Sequence, residues 1–166
     1  RSGDNLLAML HDLQDASPEH YLSDVDLRAA ADHLGLAYSF VYGVATFYTM
    51  YSLKPRGRNL IRVCQSPPCH LLGSSTISRE LIRLLGIGFG ETTADKLFTL
   101  EMTSCLGVCW GGPLMVVYPD GVWYHHVDEQ ALERIVEEHL RGGRPVEEYV
   151  FHRLEQPADE GSDPAA

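Results

Sequence analysis

Four cysteines are the residues of this 166-residue chain whose types and spacing could do the most chemistry. They form two close pairs, Cys64-x4-Cys69 and Cys105-x3-Cys109. Four thiolates can complete the tetrahedral coordination of one zinc ion, or provide the full ligand set of a [2Fe–2S] cluster. Four cysteines are too few for a disulfide scaffold in a chain of this length. The two pairs therefore predict a metal centre.

Several chemistries remain open for these pairs. A thioredoxin-type redox site requires C-x-x-C, which neither pair has. A four-cysteine zinc site is compatible with the spacings, and so are disulfides or buried inert thiols. The paired histidine ligands that a Rieske centre requires are missing from the sequence pattern. His70, which follows Cys69, is interpreted as a loop residue at a helix entrance and not as a ligand.

The segments around the cysteines favour an iron–sulfur cluster. Residues 65–78 and 102–118 contain no Asp, Glu, Lys or Arg, which predicts a dry, uncharged pocket. Gly107, Gly111 and Gly112 let backbone N–H groups approach closely and donate hydrogen bonds to the cluster sulfurs. With all four ligand positions filled, such a centre carries electrons and binds no substrate.

Composition and charge exclude other function classes. The formal charge of −10 repels a phosphate backbone, so no nucleic-acid partner is expected, even for the helices between residues 23 and 51. No apolar run reaches the length of a membrane span, so no direct membrane insertion is expected. The same acidic excess disfavours an added electron, which predicts a low reduction potential for a bound cluster.

The N-terminal part of the chain reads as helical. Asp4 and Ser23 are predicted to cap the first two helices, and Asp26 completes a capping box with Ser23. A third segment, residues 41–51, is too aromatic for a solvated helix and is predicted to be covered. The turn at residues 54–57 is the predicted domain boundary.

After that boundary the pattern predicts an α/β layer with the element order β-α-β-β-β-α. Both cysteine pairs follow strand ends, and a Pro-containing loop is predicted for residues 65–72. His125 and His126 are predicted to point to opposite faces of a strand. The six elements are, in order, strand 59–64, a helix ending at Gly86, strand 97–102, the hairpin strands 114–118 and 122–125, and a helix capped by Asp128.

Four motifs, in order, resemble the small [2Fe–2S] subunit of NADH dehydrogenases, a thioredoxin-like ferredoxin family. Its relatives occur in respiratory complex I, in NAD-reducing and electron-bifurcating hydrogenases, and in NAD-dependent formate dehydrogenases. The resemblance covers roughly residues 5–142. The motifs are residues 41–48 (VYGVATFY), 61–70 (IRVCQSPPCH), 90–93 (GETT) and 105–109 (CLGVC).

The resemblance implies a fold and a ligand set. The fold is α/β, with an N-terminal helical bundle over residues 1–56 and a thioredoxin-like [2Fe–2S] domain over 57–143. Residues 144–166 lie beyond the resemblance and are interpreted as a C-terminal extension with an acidic tail. The cluster ligands are Cys64, Cys69, Cys105 and Cys109, with the first pair on one iron and the second pair on the other. The extension is interpreted either as a strap over the protein's own surface or as a docking segment.

The resemblance also implies a function. The implied function is electron transfer, by a subunit of a cytoplasmic, NAD(H)-dependent oxidoreductase. The parent complex expected first is an electron-bifurcating or NAD-reducing hydrogenase. Complex I and formate dehydrogenase are alternatives, and a zinc-stabilised interaction module is the alternative from another class. FMN and NAD(H) are expected on a partner flavoprotein that has its own iron–sulfur cluster, beside a larger iron–sulfur subunit. The glycines at residues 86–90 follow a helix and do not form a nucleotide-binding fingerprint.

Overall fold

The computed structural model describes residues 5–154, and the chain divides into two compact units. The first unit contains residues 5–58 together with Thr92–Thr99. The second contains residues 59–91 and 100–154. The predicted cap at Asp4 and the acidic tail lie outside the described residues.

Three helices form the first unit: α1 (Leu6–Ala16), α2 (Asp24–Leu34) and α3 (Tyr38–Phe47). The predicted capping box at the start of α2 is confirmed. The Asp26 N–H donates to Ser23 Oγ over 3.2 Å, and the Ser23 N–H donates to the Asp26 carboxylate over 2.8 Å. The helices share an apolar core made of Leu6, Leu10, Leu22, Leu27, Ala30, Ala31, Leu34, Val41, Ala45 and Tyr51.

The aromatic helix α3 is less covered than its sequence predicts. Its buried residues are Val41 and Ala45, which lie four residues apart on one face. The prediction of a covered aromatic segment over residues 41–51 holds for Tyr51, which is buried, but it is wrong for Tyr42, Phe47 and Tyr48, which are 44%, 77% and 44% exposed. The helical period turns only one narrow stripe toward the core, and the large rings fall on the other faces.

A six-stranded sheet has the strand order β2-β3-β1-β4-β5-β6. The predicted hairpin across Asp120 is confirmed, since β4 and β5 pair antiparallel with Val117 opposite Val122. The short strand β2 and the last strand β6 were not expected from the sequence. The strands are β1 (Asn59–Cys64), β2 (Glu91–Thr92), β3 (Phe98–Thr103), β4 (Met115–Tyr118), β5 (Val122–Tyr124) and β6 (Val150–Arg153).

Three helices accompany this sheet: α4 (Pro67–Leu71), α5 (Ser74–Leu85) and α6 (Glu129–Arg134). The last one continues as a π-helix over Ile135–Arg141, and Asp128 caps it as predicted, with its carboxylate 2.7 Å from the Ala131 N–H. The prediction of a loop over residues 65–72 is wrong where α4 forms. Proline is favourable at the first helical position, where no backbone N–H is needed. Among residues 5–154, no helix is both long and apolar enough to cross a membrane.

The C-terminal extension covers an edge of the protein's own sheet. Its strand β6 pairs antiparallel with β5, with His152 opposite Trp123. Of the two interpretations of this segment, the strap is therefore the one that residues 144–154 adopt.

A buried hydrogen-bonded chain connects the extension to the sheet. The Tyr124 hydroxyl lies 2.8 Å from His139 Nδ1, and His139 Nε2 lies 2.8 Å from the Asp120 carboxylate. The Val146 N–H donates to the Tyr124 oxygen over 3.2 Å. If the tyrosine donates to Nδ1, His139 carries its proton on Nε2 and donates to Asp120, so Tyr124, His139 and Asp120 all have hydrogen-bond partners. This hydrogen-bond network joins the hairpin turn, the π-helix and the extension.

This arrangement predicts a loss of stability at alkaline pH. Burial raises the pKa of Tyr124 to about 12, and the carboxylates of Glu147 and Asp120 act in the same direction, while the Val146 N–H and Arg153 oppose it. An unfolded tyrosine ionises near pH 10 and then binds fewer protons than the folded one. The free energy of unfolding should therefore fall between pH 10 and pH 12, by up to about 1.4 kcal/mol per pH unit from this group.

Tyr124→Phe should flatten that pH dependence and lower the stability at pH 8 by about 1–3 kcal/mol, because His139 and the Val146 N–H lose their partner. Urea unfolding followed by tryptophan fluorescence measures both effects, since both tryptophans lie in the second unit. An unchanged slope above pH 10 in the variant would mean that another group causes the alkaline loss.

Candidate metal centre

The four predicted ligands lie at the ends of strands and on the turns that follow them. Cys64 is the last residue of β1, and Cys69 lies in α4. Cys105 follows β3, and Cys109 begins a short 3-10 turn. All four are free thiols. The structure brings them together, because the Cys64 sulfur acts electrostatically on each of the other three.

The geometry of the second pair fits a shared metal ion. The Cys105 and Cys109 sulfurs are 3.7 Å apart. Two thiolates bound at about 2.3 Å to one tetrahedral ion are about 3.8 Å apart. Among residues 5–154, no three His, Cys, Asp or Glu side chains gather in the way that one ion requires. The 3.7 Å separation of the second pair fits two ligands of one metal ion, either a zinc ion or one iron of a [2Fe–2S] cluster.

The two pairs differ in burial. Cys64 and Cys69 are fully buried and pack with Leu114, while Leu106 and Val108 partly cover them. This confirms the predicted dry pocket for the first pair. Cys105 is exposed, so the same prediction is wrong for that residue. The second pair therefore forms the solvent-facing rim of the centre.

Backbone and hydroxyl groups donate to the sulfurs. The Gly107 N–H lies 3.4 Å from Cys105 Sγ, and the left-handed φ of 84° at Gly107 is a conformation that glycine adopts without strain. The Ser66 hydroxyl lies 3.2 Å from Cys64 Sγ. At Gly112 the chain passes so close to Cys69 that an added Cβ would lie 3.3 Å from its sulfur.

The pKa values of Cys64 and Cys69 are shifted in opposite directions. Burial opposes ionisation of Cys64, but hydrogen bonds from the side chain and backbone of Ser66 and from Leu106 outweigh it, so the pKa of Cys64 lies below its ordinary value. Burial raises the pKa of Cys69 to about 11, and the neighbouring Cys64 adds to this rise. Of the two sulfurs, Cys64 is therefore the one that loses its proton more readily.

The second pair is split in the same way. The Gly107 N–H, assisted by Cys109 and Ser66, lowers the pKa of Cys105. Cys105 in turn raises the pKa of Cys109, and burial adds a smaller rise. Each pair therefore contains one sulfur that is already prepared to bind a cation.

The nearby histidines do not join the four sulfurs. His70 lies in α4 with its Nδ1 2.9 Å from Ser75 Oγ. The rings of His125 and His126 are 4.6 Å apart, so the prediction that they point to opposite faces is wrong. Strand β5 ends before them, and His126 has a left-handed φ of 47°. Both rings contact Trp110, which directly follows Cys109.

Sequence reasoning missed Ser66 and an apolar rim around the centre. Leu71 is 85% exposed and Trp110 is 65% exposed, and Leu72 and Met102, which also lie within three residues of a cysteine in the sequence, are exposed as well. We call these four residues the apolar rim. The sequence did contain a signal for this surface. Residues 65–78 and 102–118 have no Asp, Glu, Lys or Arg, so the apolar side chains there are not surrounded by charged neighbours. Large apolar residues left exposed in such a setting are typical of interaction surfaces.

Comparisons with known proteins show the family of this chain. The chain matches the thioredoxin-like [2Fe–2S] ferredoxin family over residues 1–140. A subunit of the NADH-quinone oxidoreductase of Salmonella typhimurium is 40% identical over 70% of this chain and 69% of its own length. The corresponding NADH-quinone oxidoreductase subunit of Rickettsia prowazekii is 39% identical over 66% of this chain, which spans only 61% of that relative's length.

Two solved structures show the same fold. A thioredoxin-like [2Fe–2S] ferredoxin from Aquifex aeolicus has 30% identity and a TM-score of 0.52, covering 61% of this chain and 97% of that chain. A chain of NAD+-reducing [NiFe]-hydrogenase in the H2-reduced state has a TM-score of 0.71 over 89% of this chain and 24% of that chain, at 23% identity. The N-terminal helices, the sheet with its two cysteine pairs and the family match agree: the chain belongs to the thioredoxin-like [2Fe–2S] ferredoxin family, whose cofactor is a [2Fe–2S] cluster.

Proposed function

We propose that this chain is the electron-transfer [2Fe–2S] subunit of an NAD(H)-dependent oxidoreductase, with Cys64, Cys69, Cys105 and Cys109 as the cluster ligands. The observation that carries the proposal is the pairing of four free thiols, one pair buried and one pair at the surface. When bound, a [2Fe–2S] cluster accepts and returns a single electron. The proposed cluster domain is residues 57–143, preceded by a helical domain over 1–56 and followed by the extension over 144–166.

The chain's own residues hold and tune the centre. Cys64 and Cys69 lie where Leu114 and its neighbours exclude water. Exclusion of water lowers the local dielectric constant, so that hydrogen bonds and charges near the sulfurs act more strongly. Cys105, held by the Gly107 N–H, stands at the surface and gives a short path for the electron to a partner.

The proposed partner is a flavoprotein subunit that binds FMN and NAD(H), beside a larger iron–sulfur subunit. Three observations support this proposal. The curated relatives are named as subunits of NADH-quinone oxidoreductases. The glycine segment at residues 86–90 lacks the spacing and the preceding strand of a dinucleotide-binding motif. The apolar rim offers a surface of the kind that a partner subunit covers.

We propose two candidates for the parent complex. Sequence similarity over more than 100 residues supports an NADH-quinone oxidoreductase, which is complex I. An NAD-reducing or electron-bifurcating hydrogenase is the second candidate. It is supported by the likeness of fold to a chain of NAD+-reducing [NiFe]-hydrogenase over 89% of this chain. Four unpaired thiols fit a reducing compartment, and we propose a cytoplasmic location.

Reduction by NADH tests this function directly. The full chain, purified without oxygen, is mixed with NADH alone and then with NADH and an FMN-binding flavoprotein subunit from the same organism. Reduction of the cluster signal only in the presence of the flavoprotein is the expected result. Reduction by NADH alone would place the nucleotide site on this chain, and no reduction in either mixture would contradict the proposed partner. Repeating the assay with hydrogenase or quinone-reducing subunits from the same genome distinguishes the two parent complexes.

Gly112→Ala tests the close passage of the chain against the first pair. The added methyl group would lie 2.9 Å from Leu72 Cδ1 and 3.3 Å from Cys69 Sγ, so the sulfur or its neighbours must shift. We expect a loss of cluster affinity of about tenfold, measured as the rate of iron release to a chelator. Gly43→Ala is the matched control, because its methyl group meets no atom within 4 Å. It should leave iron release unchanged and stabilise α3 by about 0.5–1 kcal/mol.

A further inference from the structure

Ser66 occupies a helix-capping position without acting as a cap. It is the N-cap residue of α4, where a serine hydroxyl ordinarily accepts a hydrogen bond from the N–H two or three residues later. Pro67 and Pro68 occupy the first two helical positions and have no N–H. The Ser66 side chain makes no capping hydrogen bond, although its carbonyl accepts from the His70 N–H over 2.9 Å. The hydroxyl is therefore available for a hydrogen bond to another group.

The group it serves is a sulfur of the metal centre. Ser66 Oγ lies 3.2 Å from Cys64 Sγ, and the residue is half-buried in the pocket. A thiolate bound to iron has no proton, so in the loaded protein only the hydroxyl can donate in this contact.

We infer that the Ser66 hydroxyl is a positioning and tuning residue that raises the reduction potential of the cluster by donating a hydrogen bond to Cys64. The inference rests on the proposed ligand set. An added electron increases the negative charge on the cysteine sulfurs, so a donor stabilises the reduced state more than the oxidised state. The backbone donors at Ser66, Leu106 and Gly107 act in the same direction but survive side-chain substitution. Ser66 is thus the donor whose contribution can be removed by mutation.

This contribution opposes the effect of the protein's net charge. The formal charge of −10 disfavours an extra electron at the centre, and the local donors offset part of that effect. Cys64 is fully buried, so the hydrogen bond acts in a low dielectric where it is strong. The hydroxyl and the backbone donors therefore raise the potential of the centre, while the acidic surface lowers it.

Redox titration of the full chain, followed by its EPR signal, tests the inference. Ser66→Ala should bind electrons about tenfold more weakly, which lowers the midpoint potential by about 59 mV for a one-electron couple. Ser66→Thr, which keeps the hydroxyl, should retain the wild-type potential. Ser66→Val matches threonine in shape without the hydroxyl and should behave like Ser66→Ala. Ser104→Ala, which removes an exposed hydroxyl beside Cys105, should leave the potential unchanged.

The outcomes separate this inference from the proposed function. A wild-type chain without a cluster contradicts the ligand assignment itself. A cluster present in all variants, with Ser66→Ala and Ser66→Val within about twofold of the wild-type electron affinity, overturns the role of Ser66 alone. If the hydroxyl-free variants fail to assemble a cluster while Ser66→Thr succeeds, Ser66 is an assembly residue, and the tuning role is likewise overturned.

Discussion

Replacing Cys64 by Ala is expected to reduce the iron and labile sulfide bound to the chain by more than about tenfold. Cys64 is fully buried at the end of β1, so no water molecule from the surface replaces the lost thiolate easily. An iron atom left with an open position in an apolar pocket is poorly stabilised. Iron and sulfide analysis, with the visible absorbance of the protein, measures the loss.

The exposed ligand gives a useful comparison for this substitution. Cys105→Ala should also lose the cluster, because it removes one of the four proposed ligands, but it leaves no buried cavity. The metal-free Cys64→Ala protein should therefore unfold at a lower urea concentration than metal-free Cys105→Ala. Full retention of iron and sulfide in either variant would contradict the assignment of that residue as a ligand.

Leu10→Ala should destabilise the N-terminal unit by about 2–5 kcal/mol and leave the cluster in place. Leu10 is completely buried in the core of the three helices, and every residue of that core belongs to the first unit. A small domain is stable by only about 5–15 kcal/mol, so this loss is a large fraction of its stability. Urea unfolding followed by far-ultraviolet circular dichroism detects the helices, while visible absorbance reports on the cluster.

An exposed leucine on the same helix provides the matched control. Leu7→Ala removes the same number of atoms from α1, but Leu7 is exposed and the stability should change by less than about 0.5 kcal/mol. Loss of the cluster at the same urea concentration as the helices, in both the wild type and Leu10→Ala, would show that the two units unfold together.

The elements with strong local signals could be predicted from the sequence. Ser23 and Asp26 predict the start of α2 because a capping box is local and depends on few residues. The strand that ends at Cys64 and the hairpin across Asp120 follow from apolar runs and turn chemistry. These signals do not depend on distant parts of the chain, and this is why they predict correctly.

The misjudged elements depend on competing or distant effects. Pro67 and Pro68 predict a loop because proline usually interrupts helices, but both fit the first turn of α4. Alternation predicts opposite faces for His125 and His126 only if the strand continues, and it ends at Tyr124. Strand β6 gains its order from pairing with β5, which no local pattern of residues 150–153 reveals.

The chemistry of the centre was predictable in kind but not in detail. Cysteine spacing and the uncharged segments indicate a metal–sulfur site, because ligand type and number limit the possible metals. Which pair is buried, and which donors reach the sulfurs, depend on the fold. Ser66 shows this, since its role follows from a side chain that makes no capping hydrogen bond at the start of α4 and from its 3.2 Å distance to Cys64.

Metal and sulfide analysis of the full chain, purified without oxygen, tests the central claim most directly. If the four cysteines hold one [2Fe–2S] cluster, the protein contains about two iron atoms and two acid-labile sulfides per chain, with no stoichiometric zinc. On reduction by dithionite it gives an EPR signal of spin one-half that integrates to about one per chain. One zinc ion per chain without labile sulfide would contradict the claim and identify the centre as a structural metal site.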